Sequence, residues 1–277
     1  MTPDEYCQRK AAASGSSFYY SFLFLPAERR RAITALYAFC REVDDVVDES
    51  LEPPVAAAKL AWWRTEVANL YAGNPHHPVT RALAPFLERF SIDRQRLGEI
   101  IDGMEMDLTQ TRYLDWLALE RYCYRVAGAV GLLAAGVFGY RDPKTLDYAK
   151  NLGIAFQLTN IIRDVGEDAR KNRIYVPMED LKRFNVTAAD ILGAKQTPEF
   201  AQLLKFEAGR AKAYYAKAFE ALPAEDRRSQ RAGLIMAAIY RALLDEIERD
   251  GFRVLKQRTS LTPLRKLFIA WKTWIAA

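Results

Sequence analysis

Asp44-Asp45-Val46-Val47-Asp48 and, much further along the chain, Asn160-Ile161-Ile162-Arg163-Asp164-Val165-Gly166-Glu167-Asp168 are the stretches that decide the fold. In each, a carboxylate or amide recurs at every fourth residue, so on a helix these groups stack along one face. Like charges at that spacing repel unless a cation sits between them. Two such faces turned towards each other would form an oxygen-rich site for hard divalent ions. Mg²⁺ takes few protein carboxylates and prefers substrate phosphates as further ligands, so the pattern points to phosphate-ester chemistry.

Each face extends beyond its acids. Tyr37, Arg41, Asp44 and Asp48 fall at i, i+4, i+7 and i+11 of one helix. On this helix alone, an intrahelical salt bridge at Arg41 is as good a reading as a binding site. Gln157, Asn160, Asp164 and Asp168 share the second face, with Arg163 beside it. Asn and Gln are poorer choices than Lys or Glu for a merely solvated helix face, but they offer oxygens to a cation. Leu152, Ile154, Ala155, Phe156, Leu158, Ile161 and Ile162 make the second helix largely buried. Buried carboxylates are costly unless paired or metal-bound, and this tips the reading from solvated face to site.

The rest of the composition fits a globular enzyme. The chain has 277 residues, 50% hydrophobic and 27% charged, which excludes disordered and collagen-like classes. A net charge of +5 is modest, its basic residues spread over many helices with some clustering in the tail at Arg253, Lys256, Arg258, Arg265, Lys266 and Lys272. Nucleic-acid binding would want a denser basic stripe, whereas anionic substrates or anionic lipid suit a small excess. Cys7, Cys40 and Cys123 are far apart and read as free thiols of a reducing compartment. His76 and His77 lack further ligands for a zinc site. The N-terminus shows no signal-peptide pattern, and the longest apolar stretch, Ala127 to Tyr140, is short and holds four glycines, so a cytoplasmic protein is expected.

The dominant period is helical and strand signals are nearly absent. Helices are expected over about Ala27 to Ser50, closed by Leu51-Glu52-Pro53-Pro54, then over Val55 to Tyr71, Pro78 to Phe90, and on to Asp107 with Ser91 or Asp93 as cap. One helix should run from Leu117 to Phe138, and a long one from Asp142-Pro143 to about Asp168. A polar loop, Ala169 to Val176, follows, then short helices to Ala194, two helices over Pro198 to Leu222 and Pro223 to Asp250, and a final amphipathic segment from Thr262 to Ile275. No linker or repeat divides the chain, so a single all-α domain over residues 1–277 is expected.

Several stretches together resemble the squalene/phytoene synthase family. They are the two acidic motifs, Tyr37-Ala38-Phe39-Cys40-Arg41, Tyr122-Cys123-Tyr124-Arg125-Val126-Ala127-Gly128, Phe156-Gln157-Leu158-Thr159-Asn160 and Arg173-Ile174-Tyr175-Val176-Pro177. Ser14-Gly15-Ser16-Ser17-Phe18-Tyr19-Tyr20 and Asp102-Gly103-Met104-Glu105-Met106-Asp107 resemble, more weakly, the bacterial presqualene diphosphate synthase subgroup of hopanoid pathways. The resemblance implies an isoprenoid synthase fold, a helical bundle around a central cavity. It implies Mg²⁺ held by Asp44, Asp48, Asn160, Asp164 and Asp168, and substrate or diphosphate contacts from Ser14, Ser17, Tyr37, Arg41, Gln157, Arg163, Arg173 and Tyr240. Tyr122 matches a tyrosine implicated in the reaction, with Asp44, Asp48 and Asp164 acting on the leaving diphosphate. Asp45 points about 100° round the helix from Asp44, so its role is less direct.

The implied reaction joins two molecules of farnesyl diphosphate head to head into presqualene diphosphate, with diphosphate released and no NADPH expected. The alternatives are a phytoene synthase using geranylgeranyl diphosphate, and a non-catalytic helical assembly protein of the same fold. Implied partners are the two substrate molecules and downstream isoprenoid enzymes. Asp102, Glu105 and Asp107 read as a peripheral acidic face. The run from Val126 to Gly131 reads as close helix packing that also leaves room for an isoprenoid chain. The loop from Ala169 to Val176 is expected to fold over the diphosphates as a lid with Arg173 reaching in. The tail from Leu264 to Ile275 reads as a terminal core helix, the alternative being shallow docking on a membrane surface.

Overall fold

Proline marks where several helices begin, because a first-turn residue has no intrahelical use for its N–H. The computed structural model describes residues 1–13, 21–22, 24–49 and 52–276. Its helices are α1 (Pro3–Ala13), α2 (Ala27–Glu49), α3 (Pro53–Tyr71), α4 (Pro78–Leu83) and α5 (Arg94–Thr109). Next come α6 (Trp116–Cys123), α7 (Ala129–Phe138), α8 (Lys144–Arg170), α9 (Met178–Arg183) and α10 (Ala188–Leu192). The order ends with α11 (Pro198–Ala221), α12 (Arg231–Arg249) and α13 (Pro263–Ala276). The described residues hold no strand, only an isolated bridge between Arg112 and Ile174.

The all-α expectation holds, with five local corrections, the first being that the helix expected from Pro223 to Asp250 is a short turn over Ala224–Asp226 followed by α12 from Arg231. Pro53 and Pro54 open α3 rather than close α2, occupying its first turn. The helix expected from Pro78 to Phe90 stops at Leu83 and tightens into a single turn over Ala84–Phe86, where Pro85 offers no N–H to continue it. The expected run from Leu117 to Phe138 is broken by a π-helical turn over Tyr124–Gly128, directly after Tyr122. Such insertions in helices concentrate at functional sites. Helix α1 had no counterpart in the sequence reading. Of the two proposed caps, Asp93 serves α5, accepting from the Arg96 N–H.

Helix α8 is the central pillar. It packs along α11 and crosses α7 and the π turn. The crossing is backbone on backbone: a Cβ on Gly153 would stand 2.3 Å from the Ala127 carbonyl oxygen, and one on Gly131 2.3 Å from that of Ala149. Close packing therefore explains the small-residue run. Two hydrophobic clusters result, one built on α2 to α5 and the other on α8, α11 and α12. Side chains of both line a cavity of about 420 Å³ between them. Among the described residues, no helix is long and apolar enough to cross a membrane.

Candidate active site

The cavity has a polar mouth and an apolar floor. Tyr37, Arg41 and Asp44 of α2 line it on one side, and Gln157, Asn160 and Arg163 of α8 on the other. The floor carries Ala127, Val130, Gly131 and Ala134 beside Phe156, Met236 and Tyr240. The small residues thus serve packing and space together. Of the two acidic faces predicted from spacing, Asp44 and Asn160 line this opening, whereas Asp48, Asp164, Asp168 and the predicted Arg173 do not.

On α2, the Arg41 guanidinium lies 2.6 Å from Asp44 and 2.5 Å from Asp45. Asp45 also meets Lys10 of α1 at 2.8 Å, so this middle aspartate ties α1 to α2. Burial raises the Asp44 carboxyl to about 6, the charges of Asp48, Asp45 and Asp107 adding to it against Arg41. Asp48 is more exposed and spans to the far wall. Lys171 Nζ reaches it at 3.0 Å and Arg173 at 3.3 Å. Both cations follow α8 directly, so the outer edges of the two walls are joined.

On α8, Arg163 grips Asp164 with two hydrogen bonds of 2.7 and 2.5 Å. Arg258 adds a third at 2.9 Å. Burial opposes the charge on Asp164, yet these two guanidiniums hold its carboxyl below the usual range. Asp168 lacks such support: burial, then the charges of Asp164 and Asp107, raise it to about 7. Asn160 Nδ2 donates weakly to Gln157 at 3.4 Å, while its Oδ1 is buried with no donor among the described residues. A buried acceptor left empty is costly, and a cation would relieve it. Among the described residues no three acidic, His or Cys side chains converge into a self-sufficient metal nest. The donor set therefore fits Mg²⁺ that draws its remaining ligands from a phosphate group.

Two findings lie outside the sequence reading. Asp107 is not peripheral. Asp102 and Glu105 do face outward, each paired with Arg64 at 2.6 and 2.7 Å. Asp107, however, is buried and accepts from the Tyr122 hydroxyl at 2.9 Å and the Tyr175 hydroxyl at 2.8 Å. One helical register separates it from Glu105, and only the tertiary fold shows which way it turns. Burial raises its carboxyl to about 6 even against both hydroxyl donors. Tyr122 stacks on Tyr175 at 5.1 Å, and its hydroxyl is pushed far above the ordinary range by burial and then by Asp107. Second, Arg258 and Lys266 line the cavity from the C-terminal segment. Burial lowers the Lys266 ammonium, and the charges of Arg163 and Arg258 lower it further. Clustered basic groups in the tail were the only sequence signal for them.

The remaining predicted residues divide as follows. Tyr240 is buried in the floor, its ring 4.8 Å from Phe156. Ser14 and Ser17, with Phe18, Tyr19 and Tyr20, lie outside the described residues. The segment from Ala169 to Val176, expected to be a lid, does not line the cavity; Lys171 and Arg173 reach Asp48, while Ile174, Tyr175 and Val176 are anchored in the core. Only its first half is free of that anchoring. All three cysteines are free thiols.

The sequence pattern of squalene/phytoene synthase matches residues 11–265. The chain is 37% identical over 276 residues to a phytoene synthase of Arthrospira platensis, covering 95% of this chain and 89% of that protein. It is 35% identical over 285 residues to the 15-cis-phytoene synthase of a Synechocystis species, covering 99% and 85%. A dehydrosqualene synthase crystallised with a ligand superposes with a TM-score of 0.89 at 29% identity, over 99% of this chain and 96% of that one. The squalene synthase HpnC of Alicyclobacillus acidocaldarius gives 0.79 at 28% identity, over 90% and 94%. With a match over most of its length and relatives at 35–37% identity, the chain belongs to the squalene/phytoene synthase family.

Proposed function

We propose that this chain condenses two molecules of geranylgeranyl diphosphate head to head and carries the product through to phytoene. The sequence reading put farnesyl diphosphate and a presqualene product first. The relatives' names reverse that order, because those at 35–37% identity over nearly the whole chain are phytoene synthases. The observation that carries the chemistry is one cavity lined by Arg41 and Asp44 of α2 and by Gln157, Asn160 and Arg163 of α8 above an apolar floor.

In this reading, Asp44, Asp48, Asn160, Asp164 and Asp168 would hold Mg²⁺, which when bound would supply charge neutralisation to the diphosphate leaving groups. Arg41, Arg163, Arg173, Arg258 and Lys266 meet the charge that grows on the departing oxygens. Gln157, Tyr37 and Tyr240 shape the passage from mouth to floor, and the apolar floor excludes water from the allylic cation left behind. The first coupling forms a carbon–carbon bond, releases one diphosphate and loses a proton as the cyclopropyl ring closes. Loss of the second diphosphate and a second proton gives the hydrocarbon, with no reductant consumed. Tyr122 carries a ring face for the cation and a hydroxyl that moves a proton, held in place by Asp107.

Incubation with geranylgeranyl or farnesyl diphosphate, Mg²⁺ and no NADPH, followed by mass spectrometry, tests the proposal. Phytoene from the longer substrate is the expected outcome. Presqualene diphosphate from farnesyl diphosphate as the dominant product would restore the other order, and no diphosphate release from either would reject catalysis.

A further inference from the structure

Helix α13 is not the core helix its sequence suggested. It packs on α12 and buries only Ala270. Leu264, Leu267, Phe268, Trp271 and Ile275 are all exposed, Phe268 at 60% and Trp271 at 55%. A contiguous apolar face of this kind marks a site of interaction. The helix's own cations do not explain what it would meet. Arg265 is bound to Glu246 at 2.7 Å, and Lys266 lines the catalytic cavity, leaving Lys272.

The positive charge comes instead from a neighbouring surface pocket of about 670 Å³ at the end of α13, lined by Arg29, Arg141, Arg228 and Arg231. Among the described residues none of these four guanidiniums forms a direct ion pair, although the Arg141 charge acts on Asp226. Two carboxylates also line the pocket, Glu225 and Asp226, so four cations against two anions leave it net positive. Asp226 is already engaged by the backbone N–H groups of Arg141 and Asp142 and the Thr145 hydroxyl. Arg231 Nε is buried with no acceptor among the described residues, an unmet donor in a site rich in donors. Trp274 joins pocket to helix: it stacks on Phe24 at 5.7 Å and lies under the Arg231 guanidinium at 5.5 Å.

We propose that this pocket and the exposed face of α13 together form a docking surface for an anionic phospholipid bilayer, the arginines taking a phosphate headgroup while Phe268 and Trp271 enter the interface. An apolar helix face edged by cations is the pattern that lies in the plane of a membrane surface. Trp at the boundary suits it, since its ring is amphipathic. The same pocket shares Phe138 and Ala232 with the catalytic cavity, so docking would bring the cavity floor near the lipid. This inference does not depend on which isoprenyl chain the enzyme uses.

Flotation of the full chain with vesicles of phosphatidylcholine alone, or with a third phosphatidylglycerol, tests it. Binding to the anionic vesicles only, weakened by salt, is expected. Phe268→Glu with Trp271→Glu, and separately Arg141→Glu with Arg228→Glu, should each lower partitioning by roughly tenfold or more, with unchanged turnover in detergent micelles. These side chains are exposed, so the variants fold, and circular dichroism verifies that. Equal binding to neutral vesicles, or wild-type retention by either variant, overturns the proposal. So does saturation by inorganic phosphate without vesicle binding, which would make the pocket a soluble-anion site, or a concentration-dependent dimer abolished by Trp271→Glu.

Discussion

Asp107 accepts a hydrogen bond of 2.9 Å from the Tyr122 hydroxyl, in a buried pair that also includes Tyr175. The carboxylate fixes which way the Tyr122 hydroxyl points, and burial with the Asp107 charge pushes that hydroxyl far above its ordinary range. We predict that Tyr122→Phe slows turnover by roughly 10²-fold with little change in KM. Asp107→Asn should produce a smaller loss, since one of its two oxygens can still accept. The double variant should be little worse than Tyr122→Phe, because residues acting as a unit are not additive. Equal losses that simply sum would show that the two act independently.

Buried acids impose a pH dependence on the ligand-free chain. Asp107 is raised to about 6 and Glu207 to about 7, both chiefly by burial. Folding therefore binds protons in the window from the ordinary carboxylate range up to those values. The stability these two groups contribute is fully present below that window and is lost as pH rises through it. Melting curves in EDTA should show a higher Tm near pH 5 than near pH 7.5. Glu207→Gln should flatten that slope while lowering Tm overall, because Arg210 loses a partner at 2.7 Å. A Tm that climbs with pH across this interval would contradict the assignment.

Gly166 lets the C-terminal segment approach the second acidic helix. A Cβ there would stand 2.3 Å from the Leu255 carbonyl oxygen. Gly166→Ala should destabilise the fold by about 1–3 kcal/mol through overpacking. It should also displace Arg258 from Asp164 and so weaken diphosphate binding. A variant that melts lower but binds an unreactive diphosphate analogue normally would separate the two effects and refute the second.

Arg258 and Lys266 were absent from the sequence-derived site. Arg258→Ala should raise KM by about tenfold, as expected for a lost charge-assisted hydrogen bond. An unchanged KM would leave Arg258 a structural tie to Asp164 alone.

What the sequence disclosed, and what it hid, follows from the range of each signal. The meeting of Asp44 and Asn160 at one cavity was legible because helical spacing is local and buried acids are rare. The lining of the cavity by Tyr37, Arg41, Gln157, Arg163 and Tyr240 followed from the same faces. Asp107 was not legible, since its partners Tyr122 and Tyr175 come from distant segments and it sits beside two acids that do face solvent. The exposed α13 was misread because an amphipathic period is the same whether its apolar face meets a core or a membrane. Substrate length was likewise out of reach of spacing rules, and the relatives supplied the order that motifs could not.

The claim on which the account turns is that both acidic walls grip the same diphosphates. Calorimetric titration of an unreactive geranylgeranyl thiolodiphosphate in Mg²⁺ tests it directly, using the wild type, Asp48→Asn and Asp164→Asn. The account predicts tight binding by the wild type that is lost in EDTA and weakened at least tenfold by either substitution. Undiminished affinity in either variant, or binding indifferent to Mg²⁺, would contradict it.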